Sequence, residues 1–103
     1  MLYNSLMRDV EIRGLHKDEW SKIHMWERHA ISIEEAVEVC QGDFVALAGY
    51  QDRLLLVGPT ASGNLLTVVV APEGDGIFYI VTARPASKKE RRYYREQKGQ
   101  EHS

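Results

Sequence analysis

The stretch Ile80-Val81-Thr82-Ala83-Arg84-Pro85-Ala86-Ser87-Lys88-Lys89-Glu90-Arg91-Arg92-Tyr93-Tyr94 changes character twice, and both changes bear on the fold. Up to Ala83 it is apolar and β-branched, the composition of a strand that packs on a covered surface. Pro85 has no N–H to give to a ladder and closes that strand. Ser87, followed three residues later by Glu90, then forms a capping box, in which each side chain satisfies a backbone donor that the first helical turn leaves orphaned. A terminal helix is therefore predicted from Ser87 to about Gln97. At about 100° per residue, Lys88, Arg91, Arg92 and Arg95 share one face of it, and Tyr93 and Tyr94 on the flanks offer apolar surface for docking.

Upstream of this strand, apolar runs at residues 44–48, 54–57 and 65–71 precede the one at 77–83. The connectors hold only a few residues each, which favours antiparallel hairpins, because parallel neighbours need a long crossover. The runs 65–71 and 77–83 are nearly unbroken in apolarity and are expected to be central strands. Before the sheet, Ser32 and Glu35 form another capping box. The helix it opens gathers Ile33, Ala36, Val37, Val39 and Cys40 on one side and Glu34, Glu35 and Glu38 on the other, and Gly42 stops it. A first helix over residues 17–28 is predicted from Trp20, Ile23 and Trp26, which recur every three residues and are expected to face the core. Residues 9–13 alternate polar and apolar and read as a short strand that Gly14 ends. The expected fold class is α+β, an antiparallel sheet of four to five strands with two N-terminal helices and a C-terminal basic helix. It forms one domain over residues 1–103, with its core in about 9–97 and expendable ends at 1–7 and 99–103.

A chain of 103 residues, 44% hydrophobic and 27% charged, matches one small globular domain rather than a disordered tail. Its net charge of −2 would not suggest a polyanionic partner. That balance conceals a contrast. Residues 84–98 carry seven basic groups against two acids, +5, whereas residues 1–83 carry six against twelve, −6. The longest apolar runs, 54–57 and 68–71, fall far short of the roughly 18 residues of a membrane span, and no signal-peptide h-region is seen. Cys40 is the sole cysteine, which excludes an intrachain disulfide and a cysteine-based zinc site and suits a reducing, cytoplasmic setting.

The common enzyme fingerprints are missing. Gly58-Pro59-Thr60-Ala61-Ser62-Gly63 lacks the Lys-Ser/Thr of a phosphate-binding loop, and neither a G-x-S-x-G nor an H-E-x-x-H pattern occurs. His24 and His29 stand five residues apart, on different faces of a continuing helix, so neither a metal site nor a cofactor is expected. Cleavage of RNA without a metal needs a general base for the 2′-hydroxyl, cations for the phosphorane-like transition state and an acid for the leaving 5′-oxygen. His24 and His29 are candidates for the base, Arg53 and Arg84 beside sheet strands can pair bidentately with phosphate, and Tyr94 or Lys89 can donate a proton or a hydrogen bond. Each has a plainer reading. A His at a helix end usually answers the helix dipole, a basic stripe is usually a solvated face, and Arg53 suits an edge-strand charge that blocks aggregation.

Two stretches carry a family resemblance. Ile23-His24-Met25-Trp26-Glu27-Arg28-His29-Ala30-Ile31-Ser32-Ile33-Glu34-Glu35-Ala36 resembles the N-terminal signature of BrnT-type toxins, and residues 80–94 resemble that family's strand, Ala-Arg and Glu-Arg-x-x-Tyr terminal motif. The resemblance covers roughly residues 9–95 and implies a RelE/ParE-like fold. It also implies a cytoplasmic endoribonuclease of the mRNA-interferase kind, neutralised by an antitoxin that is commonly a ribbon-helix-helix DNA-binding protein. By position it carries over the basic-His pair Arg28-His29, the arginines Arg53 and Arg84, and the terminal Glu90, Arg91 and Tyr94; taken with the reading of the residues, His24, His29, Arg53, Arg84 and Tyr94 are expected to be catalytic and Arg28, Lys88, Lys89, Arg91, Arg92 and Arg95 RNA-binding. Arg28-His29-Ala30 stands where the family usually has Lys-His-Gly, and Pro59 where it often has a polar or basic residue. No metal, cofactor or membrane partner is expected, and a homodimer and a toxin–antitoxin hetero-oligomer stay open. The alternative is a non-catalytic binding module, with a decayed ribonuclease site, whose basic helix docks a protein or RNA partner.

Overall fold

A computed structural model describes residues 10–101. Chain order is β1 (Gly14–His16), α1 (Glu19–His29), α2 (Ile33–Gln41), β2 (Val45–Ala48), a 3-10 turn (Tyr50–Asp52), β3 (Leu54–Pro59), β4 (Leu65–Gly74), β5 (Ile77–Pro85) and α3 (Lys88–Glu101). The strands lie in the order β1-β5-β4-β3-β2. From β2 to β5 the pairing is antiparallel, as the short connectors require. Asp75 and Gly76 close the β4–β5 hairpin with φ of 55° and 80°, the paired positive angles that favour Asp-Gly in two-residue turns.

The sheet is mixed rather than wholly antiparallel, because β1 runs parallel to β5. The hairpin rule does not govern that pair, since both helices and three strands intervene between them. The first strand also starts where residues 9–13 were expected to end. Residues 10–13 are irregular, Gly14 opens β1 instead of closing it, and Asp9 lies outside the described residues. The expendable segment 1–7 lies outside them too, whereas α3 continues through Gly99 to Glu101.

Strand alternation splits the apolar side chains between two cores. On one face Leu56, Val68, Val70, Phe78, Ile80 and Ala83 pack with Met25 of α1 and with Ala36, Val39 and Cys40 of α2. On the other, Val45, Val57 and Ala86 pack with Tyr93 and Tyr94 of α3, the docking role expected of those tyrosines. A bulge keeps the two sets apart along β5: Val69 pairs with Thr82 and Val70 with Ile80, so Val81 is the extra residue. Burial pushes the Cys40 thiol up to about 12 and leaves it inert at neutral pH.

Both capping boxes form. Ser32 accepts from the Glu35 amide at 3.1 Å while its own amide donates to the Glu35 carboxylate at 3.0 Å. Helix α1 is rotated relative to expectation: Ser21 and Met25 are its buried residues, while Trp20, Ile23 and Trp26 are 61%, 52% and 60% exposed. Packing selects Ser21 because its small side chain can be fully buried and its hydroxyl meets the Tyr79 hydroxyl at 2.7 Å. Tyr79 in turn donates to Asp18, the N-cap of α1. The Ser21 amide, with Tyr79 assisting, holds the Asp18 carboxyl below its ordinary value.

Helix α1 ends on Ala30 in the left-handed region, φ 54° and ψ 36°, with its amide bonded to the Trp26 carbonyl at 2.9 Å. An L side chain is strained there and glycine is not. Ala30→Gly is expected to raise the unfolding free energy by about 1 kcal/mol, read as a higher urea midpoint at unchanged m-value.

Candidate active site

Arg84, the strand-end arginine, faces α3, opposite the side that carries Ala83 into the α1–α2 core. Its two terminal nitrogens donate to the two oxygens of Glu90, both at 2.8 Å, a bidentate fork at the join of β5 and α3. Glu90 also accepts from the hydroxyl of Thr67, which is fully buried, and from the Ser87 amide, each at 2.8 Å. Burial alone would push the Glu90 pKa up. Hydrogen bonds from Arg84, Ser87 and Thr67, with the Arg84 charge, outweigh it and bring the carboxyl down to about 2. The same contact with Glu90 raises the Arg84 pKa.

The rest of the terminal motif is also engaged in holding the helix. Arg91 donates to the Ala86 carbonyl at 3.1 Å, and the Tyr94 hydroxyl donates to the Asp43 carbonyl at 3.0 Å. Lys98 pairs with the Asp43 carboxylate. Glu90 thus ties α3 to β4 and β5, Tyr94 ties it to the segment before β2, and Arg91 braces its first turn on the connector from β5, which gives the Glu-Arg-x-x-Tyr spacing a structural reason. Thr67 and Asp43 could not be found from sequence, because their roles depend on pairings 23 and 51 residues away.

What faces outward is the cationic side of the helix. Lys88, Lys89, Arg92 and Arg95 are exposed, and Arg91 is half-buried. Beside the first turn lies a cleft of about 300 Å³ lined by Leu47, Leu55, Tyr93, Lys89, Ser87 and Glu90. Its apolar walls and rim lysine suit a flat ring attached to an anion.

Other nominated residues sit elsewhere. Arg53 is half-buried just before β3, where its amide closes the 3-10 turn on Tyr50 and its carbonyl accepts from Gly49 at 2.7 Å. The register sets Arg84 opposite Thr67 and Val57, whereas Arg53 precedes Leu54. Four residues and two strands separate the arginines, roughly 16 Å from strand geometry. His24 stacks on Trp20 with ring centroids 4.3 Å apart and planes at 16°. His29 ends α1, exposed beside the exposed Arg28, where a cation is favoured by the helix dipole. Among the described residues no hydrogen bond or ion pair joins either histidine to Arg53 or Arg84. The structure therefore gathers Arg84, Glu90, Arg91, Tyr94 and the exposed cations around α3, and leaves the histidines on α1. No group of three or more potential metal ligands occurs among the described residues, and no described helix is long and apolar enough to cross a membrane.

Two helices on one face of a five-stranded mixed sheet, with a terminal helix clamped to the other face, make an α+β fold. The chain is similar in structure to the Brucella abortus ribonuclease toxin BrnT, at a TM-score of 0.57 and 18% identity. The likeness spans 73% of this chain and 97% of that one. No family model matches the chain, and no curated protein matches it.

Proposed function

We propose that the chain is a toxin of the BrnT kind, a metal-independent cytoplasmic endoribonuclease that cuts mRNA and is restrained by a DNA-binding antitoxin, commonly of the ribbon-helix-helix type. The observation that carries this reading is the fold shared with that ribonuclease toxin over 97% of its length. RNA lies along Lys88, Lys89, Arg92 and Arg95, with Arg28, Arg53 and Arg84 as further cationic contacts. His29 or His24 takes the 2′-hydroxyl proton as the 2′-oxygen bonds to phosphorus. The bond to the 5′-oxygen breaks, and that oxygen receives a proton from a general acid, leaving a 2′,3′-cyclic phosphate. Tyr94 supports the site by holding α3, its hydroxyl donating to the Asp43 carbonyl. The purified chain should fragment single-stranded RNA in buffer containing EDTA and leave cyclic phosphate ends. Intact RNA, together with undiminished translation on expression, would sink the proposal.

A second reading has its own support. Two nominated catalytic groups, Arg84 and Tyr94, already hold α3, and the histidines lie on another element. A non-catalytic module whose basic helix docks a partner uses the same exposed surface without turnover. Stoichiometric RNA binding with no fragments in the same assay is its expected result.

A further inference from the structure

Glu90 is held by more donors than the docking of α3 requires. Its Oε1 accepts from Arg84, the Ser87 amide and the Thr67 hydroxyl, and its Oε2 accepts the second Arg84 bond, all at 2.8 Å. The Arg84 and Ser87 bonds alone would join α3 to β5. Thr67 lies directly across from Arg84 in the β4–β5 register and is fully buried, so the sheet and a β-branched side chain fix where its hydroxyl points. The carboxylate is thereby pinned, and the plane of the guanidinium facing it is pinned with it.

This arrangement uses only part of Arg84. A guanidinium has five N–H donors in a rigid plane, and the fork to Glu90 takes one from each terminal nitrogen. The Nε–H and the outer N–H of Nη2 form a second parallel pair along one flank, a geometry that matches phosphate. Nε has no hydrogen-bond partner among the described residues, and no unpartnered side-chain nitrogen among them is buried, so that flank is open to solvent. The charge of Glu90 is shared among four hydrogen bonds, while Lys88 and Lys89 are exposed on the first turn of the same helix. An anion reaching Arg84 therefore meets a positive surround.

We infer that the open flank of Arg84 seats one RNA phosphodiester, and that Glu90 and Thr67 are positioning residues that hold the guanidinium ready for it. RNA as the source of that phosphate rests on the ribonuclease reading; the seat itself does not. A cation fixed before the substrate arrives needs no reorganisation when extra charge develops on the phosphate oxygens. The exposed cations of α3 supply most of the attraction for the chain of phosphates. Loosening Arg84 therefore slows the chemical step more than it weakens binding.

Thr67→Val keeps the shape of the side chain and removes its hydroxyl. It is expected to lower kcat for cleavage of single-stranded RNA about tenfold with KM near the wild-type value, and Thr67→Ser to restore kcat. Rates are measured where circular dichroism shows each variant folded. In parallel, NMR follows the Arg84 Nε–H resonance of the full wild-type chain, assigned by its loss in Arg84→Lys, as a 2′-O-methyl oligonucleotide is added; this probe carries the phosphates and cannot be cut. The resonance is expected to move to saturation. The Arg84 Nη–H resonances should be resolved in the wild type and Thr67→Ser and broadened in Thr67→Val. A cleaving wild type whose folded Thr67→Val variant keeps its kcat overturns the positioning role, as does a loss that Thr67→Ser shares. An Arg84 Nε–H unmoved by saturating oligonucleotide overturns the seat, a result that needs no folded variant. If the wild type leaves RNA intact while that resonance moves, the ribonuclease reading falls and the phosphate seat stands.

Discussion

Glu90→Ala is expected to lower the unfolding free energy by about 3 kcal/mol, because one carboxylate holds three separate elements together. Its loss leaves the fully buried Thr67 hydroxyl without its acceptor, removes the side-chain half of the α3 capping box, and strands Arg84 at the end of β5. Arg84 is partly exposed and recovers some hydration, which keeps the cost at the lower end for a broken buried pair. Glu90→Gln retains an oxygen for Thr67 and the Ser87 amide but removes the charge, and should cost about half as much. Urea denaturation of the three proteins measures this directly. A loss below about 1 kcal/mol for Glu90→Ala would show that the Tyr93 and Tyr94 contacts hold α3 without the ion pair.

The same carboxylate sets a pH dependence. Its pKa falls from an ordinary 4.5 to about 2 on folding, so between those values the unfolded chain binds more protons and stability increases with pH. The contribution is complete above about pH 4.5 and is lost as pH falls towards 2. Wild type minus Glu90→Gln, measured across that window, isolates this limb from the other carboxylates. Arg84→Ala is accordingly a test of stability as well as of catalysis, and any loss of cleavage has to be compared with the folded fraction.

Local chemistry was readable in the sequence and tertiary choice was not. Ser32 with Glu35 and Ser87 with Glu90 are bonds across three residues, so spacing alone locates both helix starts. The antiparallel strands were legible because their connectors are too short for anything else. By contrast, β1 is three residues long and pairs with a strand more than 60 positions away, so no local signal fixes its register. On α1 two sets of residues have helical spacing, and bulk favours Trp20, Ile23 and Trp26. Burial went to Ser21 and Met25, a result that depends on where Tyr79 lies. The site divides the same way. The cationic face of α3 was visible as a charge count, whereas the pairing that partly neutralises Arg84 requires β5 and α3 to meet at Glu90.

Under either reading of function, replacing Lys88, Arg92 and Arg95 together by Gln is expected to weaken binding of single-stranded RNA about 100-fold near 0.1 M salt. Each phosphate neutralised releases counterions worth about 0.7 in the slope of log affinity against log salt, so three lost contacts remove about two decades and flatten the slope by about 2. These side chains are exposed and make none of the contacts that hold α3 in place, so the substitutions should leave the urea midpoint nearly unchanged. That separates them from Glu90→Ala, which disturbs binding only by releasing the helix. Equal slopes for the triple variant and the wild type would mean that RNA does not follow α3, and the cleft beside Leu47, Leu55 and Tyr93 would lose its electrostatic approach. If the slope flattens while the rate of cleavage at saturating RNA stays the same, α3 is a binding track. The reacting phosphate must then be sought nearer the histidines of α1.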